Sequence, residues 1–316
     1  MTVKAIKGAI FHLVDDPAVV GTEAAAAYFP DGLLVLENGH VLACGARADL
    51  EPTLPKGTYI VDHSGSLIIP GFIDTHIHFP QLDMIASFGE QLLDWLERYT
   101  FPEEAKFKDP AHAEECADFF LDELLRNGTT SALVYGTVHK ESADALFKAA
   151  FDRGMRIVAG KALMDRNVPE AVRDTAESGD RDSRELIEKW HGKGRLGYAV
   201  TPRFAPACSD DQMTRAGKLL AEIPDLLMHT HMSENTGEID WVKELYPDAK
   251  DYLDVYAKFG LLTDRSVFAH CIHLGDDEFQ RMAKNGAAIS YCPTSNLFLG
   301  SGLFDLKKAE AHGVKV

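Results

Sequence analysis

Apolar positions in the first 66 residues recur in short alternating runs, the pattern of strands with one buried face. The clearest run, residues 33–44, is interrupted by Asn38-Gly39, a pair suited to the left-handed backbone of a two-residue hairpin turn. Tyr59-Ile60-Val61-Asp62 adds another strand. Residues 1–66 therefore read as a small β-sandwich-like unit, too short for a deep core of its own. Beyond it the texture changes. Strand-like runs at 66–79, 130–136, 156–163, 196–204, 226–232, 266–273 and 287–292 alternate with helical stretches. Two of these stretches are 111–127, stopped by Gly128, and 142–153, stopped by Gly154. A βα series of this kind predicts an α/β fold, a (β/α)₈ TIM-type barrel over residues 67–316. Residues 313–316 read as the start of an eighth strand, so the barrel is expected to be incomplete at strand 8.

Composition narrows the function classes. With 32 basic and 49 acidic residues the formal charge is −17, which argues against a nucleic-acid surface or an anionic membrane partner. The five cysteines are scattered and form no Cys-x-x-Cys, so neither a disulfide framework nor a thiolate zinc knuckle is indicated. The N-terminal residues lack the apolar core of a signal peptide, and no apolar run approaches the length of a membrane span. A cytoplasmic protein is expected.

Catalytic residues of such a barrel sit at the C-terminal ends of its strands. The first strand ends in His76-Ile77-His78, and on a strand positions i and i+2 share a face, so both imidazoles can converge on one ion. The fifth strand carries His229 and His231, and the sixth carries His270 and His273. Six of the 13 histidines thus fall in three strands, a clustering that points to a metal centre. His229 lies one layer deeper and reads as a hydrogen-bonded interior residue, whereas His273 leaves the shared face. Glu234, just past His231, is placed to carry a proton between metal-activated water and a leaving amine. Its competing reading is a helix start in which Ser233 or Glu234 acts as the cap. Arg203 and Phe204 at the end of the fourth strand offer forked donors and a ring face to a flat heterocycle. Gln81 can donate and accept at once. A surface ion pair, core packing and an exposed polar residue remain the alternatives for these three. The helical spacing of residues 92–99 assigns their aromatics to the core.

Several segments together resemble the amidohydrolase superfamily. They are Pro70-Gly71-Phe72-Ile73-Asp74-Thr75-His76-Ile77-His78 with Gln81, Leu93-Asp94-Trp95-Leu96-Glu97-Arg98-Tyr99-Thr100-Phe101-Pro102-Glu103, Thr201-Pro202-Arg203-Phe204, His231-Met232-Ser233-Glu234-Asn235 and Ala269-His270. Within that superfamily they look like the aminohydrolases that deaminate guanine, and the resemblance runs over essentially the whole chain. It implies one zinc bound by His76, His78, His231 and His270, with a strand 8 aspartate completing the site. It further implies Glu234 as the catalytic proton carrier, Gln81 and Arg203 on the edge of the purine, and Phe204 against its ring. The implied partner is a small-molecule purine, guanine, with a homodimer in the complete form. Imidazole and carboxylate ligands suit iron as well as zinc. No aspartate follows Val316 and no segment returns to the small β-unit. The expectation is therefore a truncated form with an unclosed barrel and little or no turnover. Two other readings stay open: an aminohydrolase of the same superfamily acting on a pterin, triazine or adenine-type ring, and a non-catalytic short form that pairs with intact subunits.

Overall fold

The computed structural model describes residues 3–87 and 91–316, and its backbone separates into two compact units after Phe72. In the first unit the strands are β1 (Val3–Leu13), β2 (Ala26–Glu37), β3 (His40–Ala46) and β4 (Tyr59–Ile68). They form one mixed sheet in the order β3-β2-β1-β4, with only the β1–β4 pair parallel. Asn38 (φ 51°) and Gly39 (φ 81°) make the turn between β2 and β3, both in the left-handed region that matches the twist of a tight hairpin. The core of this unit is small: Ala5, Leu33 and Val35 are buried, with Leu50 and Leu54 packed against them. A sandwich-like unit would have a second sheet, and the described strands do not form one. The helical turns Arg47–Leu50 and Glu51–Thr53 bring Leu50 and Leu54 over the sheet instead.

The apolar run 66–79 does not make a single strand. Pro70 has no N–H and a fixed φ, and with Gly71 it parts β4 from β5 (Phe72–His78). β5 opens the second unit's parallel sheet, followed by β6 (Thr129–Tyr135), β7 (Arg156–Gly160), β8 (Ala162–Leu163), β9 (Gly197–Pro202), β10 (Leu227–Met232), β11 (Ser266–His270) and β12 (Ala288–Ser290). The order is β5-β6-β7-β9-β10-β11-β12, with β8 also pairing to β9, which is a nearly closed TIM-type barrel. The run 156–163 is broken at Lys161, whose buried ammonium pairs with Asp174 at 2.6 Å. Gly160 lets the neighbouring strand approach closely, because a Cβ there would overlap the Ala199 carbonyl. Beside β12, Lys315 forms an isolated parallel bridge to Ala288, the one trace of an eighth strand among the described residues. The Thr75 and Ser290 hydroxyls, 2.6 Å apart, link β5 to β12.

Helices cover the outside of the barrel. Pro110–Arg126 starts on Asp109, which accepts from the Ala111 N–H at 3.0 Å. It buries Ala113, Cys116, Ala117, Phe120, Leu121 and Leu124, one face at helical spacing. Lys140–Arg153 ends at Gly154 in the left-handed conformation. Inside the barrel Leu133, Val158 and Ala199 pack with Leu227 and Val267. This apolar plug leaves the strand ends above it free for polar groups. Among the described residues no helix is long and apolar enough to cross a membrane.

Candidate active site

β5 ends in His76 and His78, and β10 brings His231 against them. The His78 Nε2 lies 3.2 Å from the His76 Nε2 and 3.0 Å from the His231 Nε2. These donor atoms all lie within 4.8 Å of one another. Three nitrogens bound tetrahedrally at about 2.05 Å would stand about 3.3 Å apart, close to what is seen. The proton inventory points the same way. The His231 Nδ1–H donates to the Arg203 carbonyl at 2.7 Å, which leaves the His231 Nε2 as a bare lone pair. The His76 Nδ1 meets the His229 Nε2 at 2.7 Å, and the His229 Nδ1 is buried without a partner. Facing imidazoles with more lone pairs than protons between them fit a shared cation. Burial, followed by repulsion from neighbouring histidines, holds the pKa of His76, His78 and His231 well below the ordinary histidine value, so all three stay neutral and able to ligate. Tyr135 forms the floor beneath them. Its ring stacks on His78 at 4.7 Å, and its buried hydroxyl has the Pro202, Arg203 and His229 carbonyls within 2.9–3.3 Å.

His270 is beside this trio but not within it. Its ring stacks on that of His231 at 5.5 Å, while its donor atom groups with those of His76 and Cys292. The His270 Nδ1–H donates to Asn296 Oδ1 at 2.8 Å, and its Nε2 faces Glu234 Oε2 at 3.3 Å. The backbone is bent to achieve this: Ser233, His270 and Cys271 all have φ between 51° and 70°. For residues with a Cβ such angles cost about 1–3 kcal/mol each and persist only where the surroundings enforce them. Here Ser233 O accepts from the Ile272 and His273 N–H groups, and Met232 O accepts from Cys271 N–H.

Glu234 is not a helix cap. The next helix, Thr236–Leu245, starts on Asn235, and Glu238 completes the capping box from N3. Glu238 Oε2 accepts from the Asn235 and Glu234 N–H groups, while its Oε1 accepts from Tyr252 OH at 2.7 Å. Glu234 is thereby left with its carboxyl in the site, 3% exposed, where burial pushes its pKa up to about 8. Burial likewise raises Glu238 to about 7.

Above these groups lies a cavity of about 800 Å³ whose lining includes Gln81, Trp95, Arg203, Phe204, Glu234 and His270. Gln81 reaches the His78 Nδ1 at 3.3 Å. Arg203 does not make a surface pair: both it and Glu104 are buried, and its Nη1 donates to both Glu104 carboxylate oxygens at 2.8 Å. Phe204 stands edge to face with Trp241, 6.2 Å between centroids. Residues 92–99 are divided between two roles, because Leu92, Trp95 and Leu96 pack with Phe101 and Phe204 and also face the cavity. The assignment of those aromatics to the core alone is corrected by this.

Some groups of the site escape sequence reasoning. Glu238 was legible as the acidic end of Asn235-x-x-Glu238, a capping-box spacing. Glu104, Tyr135, Asn296 and Cys292 carry no local signal, since each is drawn in by contacts distant in sequence.

The profile of the amidohydrolase family matches residues 67–316. The guanine deaminase of Escherichia coli strain K12 is 50% identical over all of this chain, which spans 72% of that protein. The solved structure of the E. coli guanine deaminase superposes with a TM-score of 0.96 over 99% of this chain and 73% of that one. A guanine deaminase from C. acetobutylicum, solved with guanine in its active site, is 33% identical with a TM-score of 0.91, over 100% of this chain and 73% of that one.

Proposed function

The chain belongs to the amidohydrolase family and, within it, to the guanine deaminases, and on that footing we propose that its site hydrolyses guanine to xanthine and ammonia in the cytoplasm. The observation that carries the reading is the convergence of the His76, His78 and His231 Nε2 atoms beside a buried carboxyl at the base of the cavity. Those three imidazoles would hold a divalent cation, for which we favour zinc, with His270 adjoining them. Such a cation supplies Lewis-acid activation of water at neutral pH.

The protein's own groups do the rest. Glu234 takes a proton from the attacking water and passes one to the departing amine. Burial, which raises this carboxyl above its ordinary value, helps it hold the proton between the two transfers. His270, its Nδ1–H fixed by Asn296, turns its Nε2 lone pair to Glu234 at 3.3 Å, where it can accept from the carboxyl when Glu234 carries the proton. Arg203 keeps its Nε and Nη2 donors for acceptors on the purine, because Glu104 takes only Nη1. Gln81 reads a donor–acceptor edge, and Phe204 packs on the ring. The resemblance also supports a homodimer, which light scattering tests.

The experiment is a competition among bases. Ammonia release and calorimetric binding are compared for guanine, adenine, a pterin and an aminotriazine with the zinc-loaded chain. Guanine is expected to bind in preference to the others and to be the base from which any ammonia is released. Preference for any other ring would replace this substrate assignment.

A further inference from the structure

A second group of metal-type ligands lies outside the cavity's catalytic groups. Asp83, His112 and Cys116 place a carboxylate oxygen, an imidazole nitrogen and a thiol sulfur within 4.8 Å of one another. His112 and Cys116 are one helical turn apart on Pro110–Arg126, so the helix itself presents both on one face. The Cys116 Sγ lies 3.6 Å from the His112 Nε2. The Phe107 ring, 4.7 Å away and edge to face, fixes the imidazole plane. Asp83 comes from the turn Phe79–Met84 and makes no ion pair or hydrogen bond among the described residues. Cys116 is buried, His112 is half-buried and Asp83 is exposed, so the group opens to solvent on one side. Burial, then the charges of Asp83, Glu115 and Glu103, push the thiol up to about 11, with the Lys106 ammonium acting the other way.

We propose that Asp83, His112 and Cys116 form a second metal site for a borderline-soft divalent cation of the zinc type. Thiolate, imidazole and carboxylate are the donor set for tetrahedral zinc or cobalt, and the open side admits water as the fourth ligand. Binding releases the Cys116 proton to solvent as the sulfur–metal bond forms. The occupied site would tie the turn that carries Gln81 to the helix whose Phe120 lines the cavity. It does not depend on what the histidine centre does.

Cobalt discriminates the two sites by spectroscopy. The full chain is titrated with Co²⁺ beyond the equivalent taken by the histidine centre, alongside Cys116→Ser, Asp83→Asn and Cys292→Ser. The expected result is a near-ultraviolet thiolate-to-cobalt charge-transfer band that saturates with the second equivalent. Cys116→Ser abolishes it and Cys292→Ser retains it. Asp83→Asn, an exposed change that leaves the fold intact, weakens cobalt binding at least about tenfold. Absence of a thiolate band at saturating cobalt overturns the site. So does a band that survives Cys116→Ser, or one unmoved in affinity by Asp83→Asn.

Discussion

Replacing Glu104 by glutamine removes one charge from a pair that is almost wholly buried. Arg203 is 2% exposed and Glu104 is fully buried, with two contacts of 2.8 Å from one guanidinium nitrogen. At that distance the gross attraction is about 6 kcal/mol with an effective dielectric of about 20. Desolvation of the two ions offsets most of it, so the intact pair adds little net stability. Removing one partner is different, because the remaining charge stays buried; the usual cost is about 3–5 kcal/mol. The glutamine oxygen still accepts one N–H bond, at about half the strength of a charged acceptor, so Glu104→Gln should cost about 2–3 kcal/mol. For a unit the size of this barrel that lowers Tm by roughly 4–12 °C, readable by scanning calorimetry on wild type and variant. The double variant Glu104→Met/Arg203→Met should regain most of the loss, since no unpaired charge remains, while guanine affinity falls with the arginine. A Glu104→Gln Tm within about 2 °C of wild type would refute this reasoning. A double variant less stable than the sum of its singles would do the same.

The remaining expectations concern proton transfer, acidity and thiols. Glu234→Gln should retain its metal and its base affinity while turnover falls about 10²–10⁴-fold, the share of a positioned acid–base group; an undiminished kcat would remove Glu234 from the mechanism. The metal-stripped chain should lose stability as pH falls below about 6.5, because the unfolded state takes up protons that buried His76, His78, His229, His231 and His270 refuse. Each contributes up to about 1.4 kcal/mol per pH unit. Glu234 and Glu238, raised to about 8 and about 7, act oppositely as pH rises from about 4.5, but they are two against five. Urea titrations at pH 5, 6 and 7 should show midpoints rising with pH, and a flat or inverted series counts against buried neutral imidazoles. Among five thiols, half-buried Cys44 should react first with a disulfide reagent, because Cys116, Cys208, Cys271 and Cys292 are buried. Simultaneous reaction of all five in the native protein would contradict that packing.

What the sequence revealed and what it concealed divide by range. His76 and His78 were legible because strand alternation is a local rule, and the Asn38-Gly39 turn and the glycine stop at Gly154 are local too. His231 and His270 followed once strand ends became the place to look. The break at Pro70-Gly71 was misread because apolar character runs on across it, although the backbone cannot. The pairing of Arg203 with Glu104 joins groups 99 positions apart, and no periodicity reports such a contact. His270 was grouped with the metal ligands by the resemblance, and its left-handed φ, which no strand pattern reports, sets its Nε2 3.3 Å from Glu234 with its donor atom in reach of those of His76 and Cys292. Backbone reversals of that kind come from the packing of β10 against β11, beyond the reach of a pattern in one strand.

The central claim is that His76, His78 and His231 make one metal centre. Its most direct test is the zinc affinity of the metal-stripped chain, measured by competition with a chelator for wild type, His231→Ala and His270→Ala. The geometry predicts that His231→Ala weakens zinc by at least about a hundredfold, since a ligand outweighs the 10–100-fold of supporting groups, while His270→Ala stays within about tenfold of wild type. Zinc affinity unchanged in His231→Ala would contradict the account.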